Sequence, residues 1–199
     1  MNGVAATGIF VAVVGPSGAG KDSIMRVAAA AFAGDYTVHF ARRIVTRISN
    51  SDEDHDSVSE GEFAALIEAG ALALHWKAHG LFYGIPASIH NRLAAGHVVI
   101  ANTSRAIAPE IKTTFPHSIF IHITAAADVL QQRLTERGRE ASADQMLRIA
   151  RSNALEQQFG ADIRIENNGE LEDAAADFIK AIRALKPTKG KTDTGKIDA

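Results

Sequence analysis

The sequence contains no cysteine, carries little net charge and has no long hydrophobic run. Without cysteine, the 199-residue chain cannot form a disulfide framework, a thiolate zinc site or a cysteine nucleophile. The formal net charge of -2 argues against a protein that coats nucleic acid. No apolar run reaches the roughly 18 residues of a membrane helix, and no basic segment precedes the apolar residues 4–14. We therefore expect a cytoplasmic protein with neither nucleic acid nor membrane as a partner.

The chain instead shows buried strands that alternate with helices. Hydrophobic residues make up 46% of it, which is enough for a sizeable core. Largely apolar runs predict strands over 9–14, 97–101 and 118–123, and a further short strand is predicted over 163–166. Helices are predicted from residue 22 to about Phe32 and over about 59–69, 86–95, 105–113, 126–137, 142–158 and 171–185. This alternation predicts a doubly wound α/β fold with a parallel sheet.

Two segments interrupt the alternation and suggest insertions at the edge of the sheet where ligands bind in such folds. We expect one domain over 1–186, with an irregular insertion at about 36–92 and a second, charged one at about 135–150. Residues 187–199 are rich in Lys, Gly and Thr, which is typical of a disordered tail.

The clearest motif is a phosphate-binding loop. Gly15-Pro16-Ser17-Gly18-Ala19-Gly20-Lys21 matches G-x-x-x-x-G-K, directly after a predicted buried strand and before a predicted helix. The glycines let successive N–H groups point at phosphate oxygens, and the helix N-terminus adds partial positive charge. We expect residues 15–23 to bind ATP, with Lys21 reaching the β- and γ-phosphates as a catalytic residue.

One position departs from the usual loop. The Ser or Thr that normally follows the lysine and ligates Mg²⁺ is Asp22 here, and Ser23 comes next. A carboxylate is also a good Mg²⁺ ligand, so Asp22 is our candidate for the metal. The alternative is that Asp22 only supplies favourable negative charge at the start of a helix.

Several stretches together resemble the guanylate kinases, over roughly residues 8–185. The matching stretches are residues 15–21, Val45-Thr46-Arg47, Val58-Ser59-x-x-Glu62-Phe63, Gly80-x-Phe82-Tyr83-Gly84 and Arg133-Leu134-x-x-Arg137-Gly138. The resemblance implies a P-loop fold of the nucleoside monophosphate kinase type, in which the two insertions are an acceptor-binding segment and a lid. It also implies ATP as phosphoryl donor and Mg²⁺ as cofactor.

A subfamily of these proteins, the ribose 1,5-bisphosphate phosphokinases of phosphonate catabolism, is more similar still. The similar stretches are Gly20-Lys21-Asp22-Ser23, residues 71–86 and the pair Ser104-Arg105. This resemblance implies phosphorylation of ribose 1,5-bisphosphate to 5-phosphoribosyl 1-diphosphate.

Positions matched to the family supply the remaining candidate residues. Arg133 and Arg137 would bind ATP, and Arg137 and Arg148 would clamp the transferring phosphoryl group as catalytic residues. The acceptor would be held by basic and aromatic side chains, namely Arg42, Arg47, His75, His79, Tyr83 and Arg105.

The side chains that read a guanine base are missing. Leu74 stands at the position of the base-reading Glu in guanylate kinases, and Ile85 replaces the Ser after the Tyr-Gly pair. His55 and Asn50 replace a Tyr and an Arg of the family's acceptor-phosphate site. A site without its polar reader cannot discriminate guanine, so a small acceptor carrying two phosphates fits better.

Two other functions stay open at this level. The protein could be a nucleoside monophosphate kinase with altered base reading, although Leu74 and Ile85 count against it. It could also be a binding module without activity, but such modules typically lose the lysine and lid arginines that are present here as Lys21, Arg137 and Arg148. The oligomeric state also stays open, a homodimer included.

Overall fold

A computed structural model describes residues 8–47, 55–136 and 160–186 of the chain. The strands are β1 (Ile9–Val14), β2 (Val38–Phe40), β3 (Arg43–Val45), β4 (His55–Ser57), β5 (Leu72–Ala78), β6 (Leu81–Pro86), β7 (Val98–Asn102), β8 (Ser118–Thr124) and β9 (Ile163–Glu166). The helices are α1 (Lys21–Ala31), α2 (Glu60–Glu68), α3 (Ile89–Ala94), α4 (Ala108–Thr114), α5 (Ala127–Glu136) and α6 (Leu171–Leu185), with a 3₁₀ turn at Arg105–Ile107 before α4. In these ranges, no helix is long and apolar enough to cross a membrane.

The main sheet is parallel and has the strand order β2-β7-β1-β8-β9. The first strand lies in its middle, so the loop that leaves β1 emerges between the ends of β7 and β8. This arrangement confirms the predicted doubly wound α/β fold. Because all the strands run the same way, their carboxyl ends meet along one edge of the sheet, where such folds bind ligands.

Both faces of the main sheet are covered, as the continuous apolar strands predict. Alternate residues of β1 point to opposite faces: Val11 and Val13 pack against α1 and α6, whereas Phe10, Ala12 and Val14 pack toward α3 and α4. The second of these cores also contains residues of β5 and β6. It therefore joins the main sheet to the smaller one.

The smaller sheet has the order β4-β3-β6-β5 and comes from the segment predicted as the acceptor-binding insertion. The same segment also contributes β2, a strand of three residues that pairs with β7 in the main sheet. That strand is too short to show a clear apolar pattern in the sequence. A two-residue turn, His79-Gly80, joins β5 to β6 with positive φ angles of 52° and 78°. Such a turn matches the twist of the two strands it connects.

The last helix is fastened to the start of the chain. α6 packs on α1, and the Lys186 ammonium donates a hydrogen bond to the carboxylate of Asp35 in the loop after α1. Hydrogen bonds from Lys186 and Thr37 lower the pKa of Asp35 to about 2, so the carboxylate stays ionised in the folded protein. The predicted lid from residue 137 onward, the predicted helix over 142–158 and the predicted tail lie outside the described residues.

One titratable side chain is buried inside the main sheet. His122, near the end of β8, is 1% exposed. Burial lowers its pKa from 6.5 to about 4, and the nearby charges of Arg105, Arg164 and Lys21 act in the same direction. The folded state therefore holds a neutral imidazole at pH 7.

This burial predicts a pH-dependent stability. Between pH 6.5 and 4 an unfolded histidine binds a proton that folded His122 excludes, so the free energy of unfolding falls as the pH falls. The loss attributable to this residue is roughly 3 kcal/mol across the window. In urea titrations at several pH values, we expect His122→Asn to show a shallower decline than the wild type. His117→Asn, at an exposed position, is the control; equal slopes in wild type and His122→Asn would contradict the prediction.

Candidate active site

A cleft of about 570 Å³ lies at the carboxyl edge of the main sheet, between the phosphate loop and the smaller sheet. Its volume lies in the range typical of small-molecule sites, which runs from about 300 to 1,000 Å³. The cleft brings together predicted residues from both substrate sites. From the predicted ATP site it contains Gly15, Pro16, Ser17, Lys21 and Asp22, and from the predicted acceptor site Arg47, His79, Tyr83 and Arg105.

The loop reaches its position through glycines that no other residue can replace. Gly15 has φ of +150°, and a Cβ there would run into the carbonyl oxygen of Ile123 on β8. Gly20 has φ of +86°, and a Cβ there would run into the side-chain amide of Asn167. The loop backbone thus lies directly against the ends of the sheet, in a conformation and a space that suit glycine.

The loop lysine is held by its own loop. Lys21 Nζ donates to the carbonyl oxygens of Gly15 and Pro16, at 2.9 and 2.8 Å. These contacts keep the ammonium at the mouth of the loop. The positive charge of Lys21 is therefore already positioned for a phosphate of a bound nucleotide.

Asp22, the first residue after the lysine, accepts hydrogen bonds from two elements at once. Asn102 at the end of β7 donates from Nδ2 to Asp22 Oδ1 at 2.7 Å, and Arg43 on β3 donates from Nη2 to the same oxygen at 3.2 Å. Asn102 is 4% exposed, so the amide is part of the sheet edge. The side chain of Asp22 is more than half exposed and open to the cleft.

The wall opposite the loop is a stack of rings and a guanidinium. The rings of Trp76 and Tyr83 stack with centroids 5.5 Å apart and planes 11° apart, and Arg43 Cζ lies 5.9 Å from the centre of the Tyr83 ring. Two hydrogen bonds hold the adjacent strand end: Phe82 N donates to Thr46 Oγ1, and Thr46 N donates to the carbonyl oxygen of Phe82. The side chain next in sequence, Arg47, lines the same cleft.

The electrostatics of the described lining are strongly cationic. It contains one carboxylate, Asp22, against four basic side chains: Lys21, Arg43, Arg47 and Arg105. Such a cleft attracts polyanions. The buried His55 beside it stays neutral, since burial and the charges of Arg47 and Arg43 lower its pKa.

Two predicted acceptor residues lie elsewhere. Arg42, just before β3, is exposed, pairs with Asp56 at 3.1 Å and does not line the cleft. His75 is exposed on β5, next to the buried Leu74 and Trp76, because alternate residues of a strand face opposite ways. The face that carries Trp76 meets the cleft, so His75 points away from it.

The remaining predicted ATP residues support the loop or lie outside the described ranges. Arg133 on α5 donates to the carbonyl oxygen of Asn167 at 2.9 Å, and Asn167 donates in turn to Ala19 O. Gly18, Ala19 and Gly20 form the inner side of the loop, and Ser23 lies half-buried one step along α1. Arg137 and Arg148, the predicted lid arginines, lie outside the described residues.

The positions of the guanine readers are part of the core. Leu74 is 1% exposed and Ile85 is 0% exposed, and the two pair directly across β5 and β6. Both belong to the hydrophobic cluster that joins the two sheets. At these two positions the cleft offers no polar group to a base.

The structure adds site residues that the sequence analysis did not select. Arg43, Asn102, Trp76 and Thr103 line the cleft, and Asn167 braces the loop. A signal existed for Asn102 and Thr103, because they follow a predicted buried strand and therefore had to lie at the carboxyl edge. No comparable signal distinguished Arg43 from Arg42. The alternation of Leu74 and Trp76 with His75 and Lys77 placed Trp76 and His75 on opposite faces of a strand, but did not show which face meets the cleft.

Comparison with known proteins agrees with this geometry. The family model of guanylate kinase matches residues 8–185. Among solved structures, guanylate kinase from Anaplasma phagocytophilum superposes with a TM-score of 0.69 at 18% identity, covering 92% of this chain and 89% of that one. At this identity the superposition shows the fold.

Curated relatives are much more similar in sequence. A ribose 1,5-bisphosphate phosphokinase PhnN from Brucella melitensis is 44% identical over 179 residues, which are 89% of this chain and 93% of that protein. A protein of the same name from Rhizobium etli is 44% identical and covers 89% of this chain and 91% of its own. With its phosphate loop, its cationic cleft and these relatives, the chain belongs to the guanylate kinase family, in the branch of the ribose 1,5-bisphosphate phosphokinases, and is a kinase.

Proposed function

We propose that this kinase transfers the γ-phosphoryl group of ATP to a phosphate of ribose 1,5-bisphosphate and so forms 5-phosphoribosyl 1-diphosphate. The observation that carries the proposal is a cationic cleft beside a phosphate loop in which the base-reading positions are the buried Leu74 and Ile85. An acceptor rich in phosphate and free of a base suits that cleft. The names of the curated relatives support the same acceptor.

The reaction requires little covalent help from the protein. An oxygen of the acceptor phosphate forms a bond to the γ-phosphorus, and the bond from the γ-phosphorus to the bridging oxygen breaks, leaving ADP with the electron pair. The attacking phosphate is already ionised at pH 7, so no general base is needed. The work of the protein is to align the two anions and to compensate their charge.

The cleft divides this work between its two walls. We propose that the loop N–H groups and Lys21 bind the donor phosphates, and that Arg47, His79, Tyr83 and Arg105, which line the same cleft, bind the acceptor. The lid residues Arg137 and Arg148, which we propose from the sequence, would clamp the transferring group and exclude water.

The donor set beside the loop fits Mg²⁺. The metal is commonly bound through carboxylates, and Asp22 brings a carboxylate that is open to the cleft to the first position after Lys21, where Asn102 Nδ2 donates to its Oδ1. Asp22 Oδ1 accepts the hydrogen bonds from Asn102 and Arg43, so among the described residues Oδ2 stays available to a cation. When bound, Mg²⁺ supplies charge neutralisation between the β- and γ-phosphates. We propose Asp22 as a ligand, direct or through water.

The function is tested by ³¹P NMR of the enzyme with ATP and ribose 1,5-bisphosphate. We expect ADP to appear together with a diphosphate at C1 of the ribose, in equal amounts. A parallel reaction with GMP at millimolar concentration covers the nucleoside monophosphate kinase alternative. Fast turnover of GMP with no ribosyl diphosphate would contradict the proposed acceptor.

We expect Lys21→Ala to lower kcat at least about 100-fold, the usual cost of removing one preorganised transition-state donor. Lys21 Nζ donates to the carbonyl oxygens of Gly15 and Pro16 in its own loop, and we expect the thermal midpoint to move by no more than a few degrees. Lys180→Ala, at an exposed position of α6, is the matched control. Near-normal activity of Lys21→Ala would remove this lysine from the mechanism.

We expect Asp22→Ala to raise the Mg²⁺ concentration for half-maximal activity at least about 10-fold, since loss of a ligand weakens metal affinity. Direct binding of Mn²⁺ to the ATP complex, followed by electron paramagnetic resonance, should weaken in parallel. Asp22→Ser, which restores the usual hydroxyl, should recover most of both. An unchanged metal dependence in Asp22→Ala would show that Asp22 is not a ligand.

A further inference from the structure

Arg43 lies at the junction of the two walls of the cleft. Its side chain is 18% exposed, its Nη2 lies 3.2 Å from Asp22 Oδ1 beside the phosphate loop, and its Cζ lies 5.9 Å from the centre of the Tyr83 ring on the acceptor wall. The guanidinium therefore touches groups assigned to the donor on one side and to the acceptor on the other.

The position of the guanidinium is determined by strand pairing. The neighbours of Arg43 on β3, Ile44 and Val45, pair with Gly84 and Tyr83 of β6. The face of the Tyr83 ring is backed by Trp76, so the ring offers Arg43 a rigid surface. A ring and a carboxylate thus hold the charge in one place without the need for a bound ligand.

The contacts of this guanidinium in the described structure leave most of its donors unused. A guanidinium carries five N–H donors in a planar fork. The Asp22 contact engages Nη2, and the Tyr83 contact is made with the ring face. Asp22 Oδ1 already accepts the shorter hydrogen bond from Asn102, so Arg43 is not needed to satisfy that oxygen. A largely buried arginine with spare donors at the border of a polyanion cleft is built to receive an anion.

From this placement beside the donor loop we infer that Arg43 binds the C1 phosphate of the acceptor, which receives the γ-phosphoryl group, while Arg47 and Tyr83 hold the C5 phosphate. The inference rests on the proposed function, because it assigns a role in recognising that acceptor. An acceptor with a single phosphate engages only one of the two points. Arg43 is then the residue that makes the enzyme prefer a bisphosphate over a monophosphate.

The test is a comparison of Arg43→Ala and Arg43→Lys with the wild type. We measure kcat and KM for ribose 1,5-bisphosphate, KM for ATP, and the inhibition constant of ribose 5-phosphate, which has one phosphate. In Arg43→Ala the acceptor KM should rise about 10- to 100-fold, the loss expected for a charge-assisted contact. The KM for ATP and the inhibition constant of ribose 5-phosphate should stay within about 3-fold of their wild-type values. The preference of the enzyme for the bisphosphate over the monophosphate therefore falls. Arg43→Lys should be intermediate, because it keeps the charge but not the fork.

Arg92→Ala is the control for loss of one positive charge, since Arg92 is exposed on α3 and does not line the cleft. If Arg43 served only to neutralise Asp22, Arg43→Ala would raise the ATP KM and leave the acceptor KM unchanged, which would overturn the inference. Equal loss of affinity for the bisphosphate and the monophosphate would overturn it too. Circular dichroism monitors folding, and Arg43→Lys provides the same comparison if the alanine variant does not fold.

The two proposals fail in different ways. If wild-type enzyme forms no ribosyl diphosphate in the NMR assay, the proposed function and the inference both fall. If wild type forms it and Arg43→Ala keeps the wild-type acceptor KM, only the role of Arg43 is lost.

Discussion

The phosphate loop lies so close to the ends of β8 and β9 that the loop positions in contact with these strand ends have no room for a side chain. Gly15 meets the carbonyl of Ile123, and Gly20 meets the amide of Asn167. Asn167 in turn donates to Ala19 O and accepts from Arg133, which links the loop to α5. These contacts fix the position of the loop relative to the sheet. They therefore also fix the position of the side chains that contact the loop. The packing of the loop against the sheet therefore determines the geometry of the cleft.

Around the loop, charge is distributed very unevenly. The chain as a whole is nearly neutral, yet the described lining of the cleft sets four basic side chains against the single carboxylate of Asp22. Neutral buried histidines lie next to it: burial and the surrounding cations lower the pKa of both His55 and His122. A positive potential that is maintained without a ligand favours an acceptor and a donor that are both polyanionic. The near-zero net charge of the whole chain is therefore compatible with a cationic cleft that suits small phosphates.

The carboxylate beside Lys21 changes the usual chemistry of the loop. P-loop enzymes generally combine a hydroxyl on the first helix with an acid at the end of a neighbouring strand. Here the acid, Asp22, is on the helix, and an amide, Asn102, ends the strand. The exchange keeps one negative charge at this point but moves it toward β3, where Arg43 meets it. Acceptor wall and phosphate loop are thereby connected through a single oxygen atom.

Much of the site could be predicted because it depends on local sequence. The loop is a contiguous motif, and its glycines, its lysine and the flanking strand and helix are all visible in one stretch of chain. The choice between adjacent residues was different. Arg42 and Arg43 are alike in type, and no periodicity extends over a strand of three residues such as β3. His75 and Trp76 lie on opposite faces of β5, but the alternation does not show which face meets the cleft. Only the pairing of β3 with β6 and of β6 with β5 decides which of them faces the cleft.

The sequence by itself therefore determined the α/β architecture, the phosphate loop with Lys21 and Asp22, and the loss of a polar base reader at Leu74 and Ile85. The first two depend on residue type and short-range spacing, and the third depends on the resemblance to the guanylate kinases. Tertiary structure alone decided that Arg43 rather than Arg42 meets Asp22, that Asn102 shares the same oxygen, and that Trp76 backs Tyr83. These contacts join residues that are far apart in the chain. A shift of one residue in strand register moves each side chain to the opposite face of the sheet, and the packing of the two sheets sets that register.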